Sequence, residues 1–389
     1  MRPVQPADRE GLPAVVHVAG FSPEYKGNFI ASIAALRESC LRSGRPFVLV
    51  LPETASERSW TTELLCQGWR VRFLPVNAST LKLARALAKT ARMENAGLIH
   101  THFTAYDIPA WLAVRLAGFR GGRAHLVWHV HSELDVSRSF SRKMRNLVKY
   151  RLMARRAWVM AVWESSRKGV IQAGAPADRV YMIPNGIDLG RATSANHDSR
   201  GLFSAMQVSR SQRVLLMFGL QPLNKGVDLA LDAMAKLSRD DPNLVLVIVG
   251  REKLEDFVSE RLGARRPTWL RVIRPVEHIG ELYQLAAVFI SASRSEGFPY
   301  AVVEAMANAL PVVLSDIPGV SWAHQSNGAV FFEPGDSDAL VSVLRDVLSW
   351  SDEDRKARCA DNRQFVASEY NVGVWAERVM DCYAMILAR

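Results

Sequence analysis

The stretch Val288 to Leu314, VFISASRSEGFPYAVVEAMANALPVVL, reads as strand, loop, helix and strand. Val288 to Ser291 and Pro311 to Leu314 are short apolar runs bounded by turn residues, which suits strands. Pro299 stands where a first helical turn tolerates proline, so a helix is expected from Tyr300 onward. The loop Ser293 to Pro299 therefore runs into a helix N-terminus, whose open N–H groups and positive dipole end favour an anion. The amides of Gly297, Phe298, Tyr300 and Ala301 are the candidates for a diphosphate. Two carboxylates flank that position, Glu296 on the loop and Glu304 on the helix. Like charges repel, so these suit hydroxyl groups, one set on a sugar and one on a ribose. Taken alone, the pair reads as a capping glutamate and an ordinary helix glutamate.

The same alternation recurs on either side. Before this stretch come the apolar runs Val214 to Phe218, Leu244 to Val249 and Leu270 to Ile273. Earlier still come Val15 to Ala19, Phe47 to Leu51, Val71 to Leu74, Gly97 to His102, Ala124 to His131 and Trp158 to Val162, with helix-like segments between. Repeated strand and helix alternation implies α/β domains with parallel sheets covered on both faces, and ligands beyond the carboxyl ends of the strands. A chain of 389 residues has the length of two such domains and so implies a cleft. The polar tract after Asn185-Gly186-Ile187-Asp188 is the natural linker. The expected division is residues 1–190, a linker 191–210, a second domain 211–365 and a C-terminal helical segment 366–389.

Phe218-Gly219 and Lys225-Gly226 in FGLQPLNKGVDLALDAM place a glycine loop and a lysine between a strand and a helix. A lysine beside an anion-binding helix end supplies positive charge to a leaving diphosphate. The order G-x-x-x-x-G-K-[ST] is absent, which disfavours phosphoryl transfer of the P-loop kind. Composition is that of an ordinary globular protein, 49% hydrophobic and 23% charged. Cys40, Cys66, Cys359 and Cys382 form no C-x-x-C pair, which points away from a zinc site or a disulfide framework and towards a reducing cytoplasm. No signal peptide or membrane span is read. The net charge of +10 is uneven: residues 1–190 carry 27 Lys and Arg against 14 Asp and Glu, and residues 191–389 carry 22 against 25. That suits an anionic surface met by the first half alone, and it also suits a dispersed solvated surface.

Taken in order, Ile99 to Phe103 (IHTHF), Trp128 to Ser132 (WHVHS), Ile183 to Asp188 (IPNGID), the Gly219 to Gly226 loop, Leu246 to Gly250 (LVIVG), the glutamate segment and Phe331 to Gly335 (FFEPG) resemble a family-4 retaining glycosyltransferase. The resemblance implies the GT-B fold, two Rossmann-like doubly wound domains facing a cleft, with the C-terminal helix crossing back to the N-terminal domain. It implies a nucleotide sugar on the C-terminal domain and a hydroxyl acceptor on the N-terminal one. By position Lys225 would contact the diphosphate, Glu304 the ribose and Glu296 the transferred sugar. The donor site so implied comprises Gly219, Lys225, Gly226, Arg294, Glu296, Gly297, Phe298, Pro299, Tyr300, Ala301 and Glu304. No D-x-D metal site and no cofactor are implied. The family commonly carries arginine after the glycine matching Gly219, where this chain has Leu220 and Pro222; Arg294, Arg251 and Lys253 are the available replacements. Gly27-Asn28 stands where many members have a glycine pair near the first helix, and is assigned to the acceptor side.

In Leu126 to His131 side chains alternate, so His129 and His131 share a face. His131 lies at the carboxyl end, and the resemblance gives it the sugar's hydroxyls, which makes it a catalytic candidate with Glu296 and Lys225. His129, His100 and His102 are read as structural. The H-x-H pair lacks further ligands for a metal. Arg138 to Arg156 (RSFSRKMRNLVKYRLMARR) holds eight cations and no acid, with Phe140, Met144, Leu147, Val148 and Leu152 at helical spacing. No nucleic-acid motif accompanies it. It fits peripheral contact with an anionic membrane and a lipid-linked acceptor, and it fits a helix packed on the sheet. The expected activity is retaining hexosyl transfer in bacterial surface polysaccharide or glycolipid synthesis. A nucleotide-sugar epimerase or phosphorylase on the same frame, and a non-catalytic sugar-nucleotide-binding subunit, stay open.

Overall fold

The computed structural model describes residues 12–116, 124–132, 140–194, 206–209, 211–263, 265–276 and 278–388. Contacts divide the chain into two compact units. The first comprises Met1–Val162, Ser166–Ile183 and Ala376–Arg389, and the second Trp163–Ser165 and Pro184–Trp375.

The sheet of the first unit contains β1 (Ala14–Ala19), β2 (Phe47–Pro52), β3 (Arg70–Leu74), β4 (Ala96–His102), β5 (His125–Val130), β6 (Trp158–Ala161) and β7 (Val180–Met182), in the order β3-β2-β1-β4-β5-β6-β7. Every pairing is parallel. All residues of β1 and β2 are buried, as expected of strands covered by helices on both faces. The second sheet, of β8 (Arg213–Phe218), β9 (Leu244–Val249), β10 (Leu270–Ile273), β11 (Ala286–Ser291), β12 (Val312–Ser315) and β13 (Ala329–Phe332), is ordered β10-β9-β8-β11-β12-β13 and is again wholly parallel. In both sheets the order reverses once, between β1 and β4 and between β8 and β11. Such a reversal leaves a crevice at the carboxyl ends, because the connections leave in opposite directions.

Of the strands, β7 and β13 are additions to the sequence reading. The first has three residues, and the second is only half-buried over most of its length, so neither carries a distinct apolar run. The C-terminal helical segment is two helices, Asp352–Glu369 and Val372–Leu387. Asn371 separates them, its Oδ1 accepting from the Val374 N–H at 3.0 Å as a cap. Residues of the last helix from Ala376 onward belong to the first unit.

Beneath the first sheet, Lys149 donates to Asp107 Oδ2 at 2.5 Å and to Tyr150 Oη at 3.2 Å, and Thr101 donates to Asp107 Oδ1. Burial alone would pull the Lys149 ammonium down; Asp107 and Tyr150 outweigh it and hold it above its ordinary value. A buried pair of this kind costs about 3–5 kcal/mol when one partner is removed. It anchors the end of the basic segment: Lys149, Tyr150, Met153 and Ala154 are buried. The helix Phe140–Val148 before it leaves Met144, Leu147 and Val148 exposed, and Leu152 is 61% exposed beside exposed Arg145, Arg151, Arg155 and Arg156. Arg138 lies outside the described residues, as do the side chains of residues 140–143.

Candidate functional site

In the second unit the loops after β8 and β11 are stitched together at the strand reversal. The Arg294 N–H donates to Asn224 O at 2.8 Å, and Asn224 Nδ2 donates to Ser295 O at 3.2 Å. Gly226, at φ +68°, makes the close approach possible: a Cβ there would meet Ala292 O at 1.9 Å. Lys225 Nζ is thereby brought to 2.5 Å from Glu296 Oε1, which also accepts from Ser293 Oγ at 2.7 Å. Both side chains keep partial exposure, 25% and 12%.

The loop from Glu296 to Pro299 is pinned on its far side. Phe298 stacks on Trp322 at 4.8 Å between ring centres and meets Tyr370 edge-on at 5.0 Å. Asn185 Nδ2 donates to Phe298 O at 3.4 Å. Gly319 passes so close that a Cβ would meet Glu296 O at 2.0 Å. Pro299 precedes the helix Tyr300–Ala307, and its carbonyl accepts from Val302 and Val303. The Tyr300 and Ala301 N–H groups are then the first-turn donors without an intrahelical acceptor. The Gly219 N–H, by contrast, is bonded to Val249 O at 2.9 Å in the sheet, so Gly219 offers its lack of a side chain rather than a donor.

Glu304 is buried and doubly held. Arg191 Nη1 donates to Oε1 at 2.9 Å and Tyr283 Oη to Oε2 at 2.7 Å. Burial, then the Glu304 charge, drives the Tyr283 hydroxyl well above its ordinary pKa, so it stays a donor. Neither partner was read from sequence: Arg191 fell in the assigned linker, and Tyr283 stands in a helix with no motif. Arg294, a candidate phosphate ligand, forms a two-pronged bond with Asp228 at 2.9 and 2.7 Å and also donates to Leu223 O. Those bonds raise its pKa, and they occupy it as a strut between the loops. Arg251 and Lys253 are exposed around the start of the helix Glu252–Leu262 that follows β9. A cavity of about 370 Å³ lined by Ala287, Pro311, Arg355, Cys359 and Arg363 lies at the amino ends of β11 and β12, away from this chemistry.

In the first unit the parallel register aligns His17 of β1 with His100 of β4, and His102 of β4 with His129 of β5. Alternation puts all four, with His131, on one face. His100 and His102 stack at 4.3 Å, as do His129 and His131. Phe103 packs on His131 at 4.6 Å, and Phe103 and Thr104 both have positive φ, 63° and 59°, a costly backbone retained in the turn after β4. Gly27, also at positive φ (54°), opens the helix Gly27–Arg42, and Asn28 is buried in its first turn. His17 and Tyr383, on the last helix, are members of this cluster that the sequence reading passed over.

Two family models match the chain: Glycosyltransferase Family 4 over residues 48–191, and Glycosyl transferases group 1 over residues 204–364. The chain belongs to the family-4, group 1 glycosyltransferases. Its fold is GT-B, two parallel-sheet α/β domains. The chain is similar to GDP-mannose:cellobiosyl-diphosphopolyprenol alpha-mannosyltransferase of Xanthomonas oryzae, 28% identical over 54% of each chain. It is also similar to lipopolysaccharide glucosyltransferase WaaG of Escherichia coli, 27% identical over 48% of each. The matched stretch spans about half the length of these curated relatives. Among solved structures, Anabaena Alr3699/HepE in complex with UDP superposes with a TM-score of 0.76 at 20% identity, over 96% of this chain and 100% of that one.

Burial holds the imidazole of His17 down to about 3. Burial, and then repulsion from neighbouring rings, holds His100, His102 and His129 well below the ordinary value. The unfolded chain takes up protons near pH 6.5 that the folded chain refuses, so stability falls as pH falls below that value, by about 1.4 kcal/mol per pH unit for each histidine. Urea unfolding at pH 7.5, 6.5 and 5.5 is expected to show a loss starting above the carboxylate range; equal stability at all three would contradict it.

Proposed function

We propose that this chain transfers a hexosyl unit from a nucleotide-diphosphate sugar to a hydroxyl acceptor, with retention at the anomeric carbon and without a metal. The Lys225–Glu296 pair beside the Tyr300–Ala307 N-terminus carries the reading. It sets a cation, a hydrogen-bond acceptor and a helix dipole at one strand reversal, as a leaving diphosphate attached to a sugar requires. Lys225 and the Tyr300 and Ala301 amides take the diphosphate, Glu296 accepts from the sugar's hydroxyls, and Glu304 accepts from the ribose. Arg191 and Tyr283 fix the Glu304 carboxylate, each of whose oxygens can accept more than one bond. The first unit supplies the acceptor, with His131 assigned to the sugar. In the proposed step the bond from the anomeric carbon to the leaving phosphate oxygen breaks. The acceptor oxygen bonds that carbon on the same face, and its proton passes to the departing phosphate.

The surrounding biology is part of the same proposal: a bacterial surface polysaccharide or glycolipid pathway, a lipid-linked acceptor, and work at the cytoplasmic face of a membrane. No helix among the described residues is long and apolar enough to cross a bilayer. The exposed Met144, Leu147, Val148 and Leu152 beside exposed arginines support peripheral attachment to anionic lipid. Each basic residue near such a surface contributes about 1 kcal/mol. The similarity to a transferase named for a diphosphopolyprenol substrate supports a lipid-linked acceptor.

With the matching nucleotide sugar and acceptor, Lys225→Ala and Glu296→Gln are each expected to lower kcat/KM by about 10²–10³-fold with unchanged folding. Full transfer by both variants would sink the assignment, and a glycosyl adduct trapped on Glu296 would replace same-face displacement by a covalent route. Sedimentation with vesicles should show binding to anionic but not zwitterionic lipid, weakened by salt and by Leu152→Glu with Arg155→Glu. Equal recovery on both lipids contradicts the attachment.

A further inference from the structure

Three imidazoles converge at the carboxyl ends of β4 and β5. His129 lies on β5 and His131 just beyond its end, two positions on and so on the same face, and the parallel register sets His102 of β4 opposite His129. The sequence offers the H-x-H pair without a further ligand; the neighbouring strand supplies one. Ring centres lie 5.3 Å apart for His102 and His129, 5.3 Å for His102 and His131, and 4.3 Å for His129 and His131. One ligating nitrogen from each ring lies within 4.8 Å of the other two.

Two imidazoles at a tetrahedral angle on one ion, each about 2.05 Å from it through nitrogen, hold their ring centres about 5 Å apart. The three rings therefore stand at the spacing of a three-histidine site. His102 Nδ1 and His131 Nε2 are hydrogen-bonded at 3.0 Å. An ion that replaces that bond spreads the two nitrogens by roughly 0.3 Å and turns the rings about their side-chain bonds, a small rearrangement. A second group, His17, His100 and His102, is equally close, but Tyr383 Oη already lies 2.6 Å from His100 Nδ1 and 2.9 Å from His17 Nε2. All three of those rings are buried, whereas His131 is half-buried at the strand end and gives the first group a way in. Burial also keeps His102 and His129 unprotonated at physiological pH, the form that ligates a metal.

We propose that His102, His129 and His131 form a site for a borderline divalent cation of the zinc kind, and that the bound ion restrains transfer by taking His131 away from the sugar. Three imidazoles without a carboxylate suit zinc, cobalt, nickel or copper, and not magnesium or calcium, which select oxygen ligands. The ion takes no part in the transfer step; it opposes it. That second half rests on the reading of His131 as a sugar-facing group, while the site itself rests on the geometry of the three rings.

The test titrates the full chain, stripped of metal by a chelator that is then removed, with cobalt chloride. The intense visible bands of four-coordinate cobalt are expected at an equimolar amount of ion, and zinc should abolish them. His131→Ala, at the least buried of the three positions, should weaken binding by more than about 100-fold, since loss of a ligand costs more than loss of a group that merely orients one. His129→Ala should do the same, and His324→Ala, at an exposed histidine of the second unit, should change nothing. If His129→Ala fails to fold, His131→Ala still decides the matter. Only the weak bands of six-coordinate cobalt, or intense bands that survive in folded His131→Ala, would overturn the site. In a transfer assay, zinc at the level that saturates the site is expected to remove most of the activity, and a chelator to restore it. Zinc bound without loss of transfer overturns the antagonism and leaves the site standing. Cobalt bound by a metal-free chain that transfers no sugar leaves the site standing and counts against the transferase reading instead.

Discussion

Lys225 and Glu296 meet because the strand order of the second sheet reverses between β8 and β11. The loops that leave those neighbouring strands carry the lysine and the glutamate, and the crevice between them has no connection of its own to fill it. Everything near the pair keeps that junction narrow. Gly226 lets one loop lie against Ala292, Arg294 and Asn224 tie the loops edge to edge, and the Phe298–Trp322–Tyr370 packing fixes the loop that leads to the helix. The resulting charge arrangement is two-sided, a cation and a helix dipole beside a carboxylate, and it is this that the proposed reading assigns to phosphate and to hydroxyl groups. A lone anion site would have no use for Glu296.

The first unit uses the same topology for different chemistry. Its reversal lies between β1 and β4, and there the inward face of three adjacent strands is lined with imidazoles rather than aliphatic chains. Part of the cost of burying that nitrogen is offset because His17, His100, His102 and His131 bond one another and Tyr383. The arrangement also makes the last helix part of the first unit's polar interior as well as its surface.

The fold was legible because parallel strands buried on both faces are apolar runs, and eleven of the thirteen strands announce themselves that way. The meeting place of Lys225 and Glu296 was legible because each follows a strand and precedes a helix, which is a local pattern. What escaped depends on distance in the chain. Arg191 and Tyr283 reach Glu304 from elements with no motif, and Arg294 looked available until the fold set Asp228 against it. His100, His102 and His129 each read as structural when considered one residue at a time. Their union with His17 and Tyr383 follows from the register of three strands and the landing place of a helix hundreds of residues away, and no periodicity in the sequence encodes either.

The central claim is that the diphosphate of a nucleotide sugar binds at the strand reversal of the second unit. A crystal structure of the full chain with a nucleoside diphosphate bound tests it most directly. The account predicts phosphate oxygens within hydrogen-bond distance of Lys225 Nζ and of the Tyr300 and Ala301 N–H groups, with ribose hydroxyls on Glu304. A nucleotide bound elsewhere, with these groups uncontacted and the Lys225–Glu296 pair undisturbed, would contradict it.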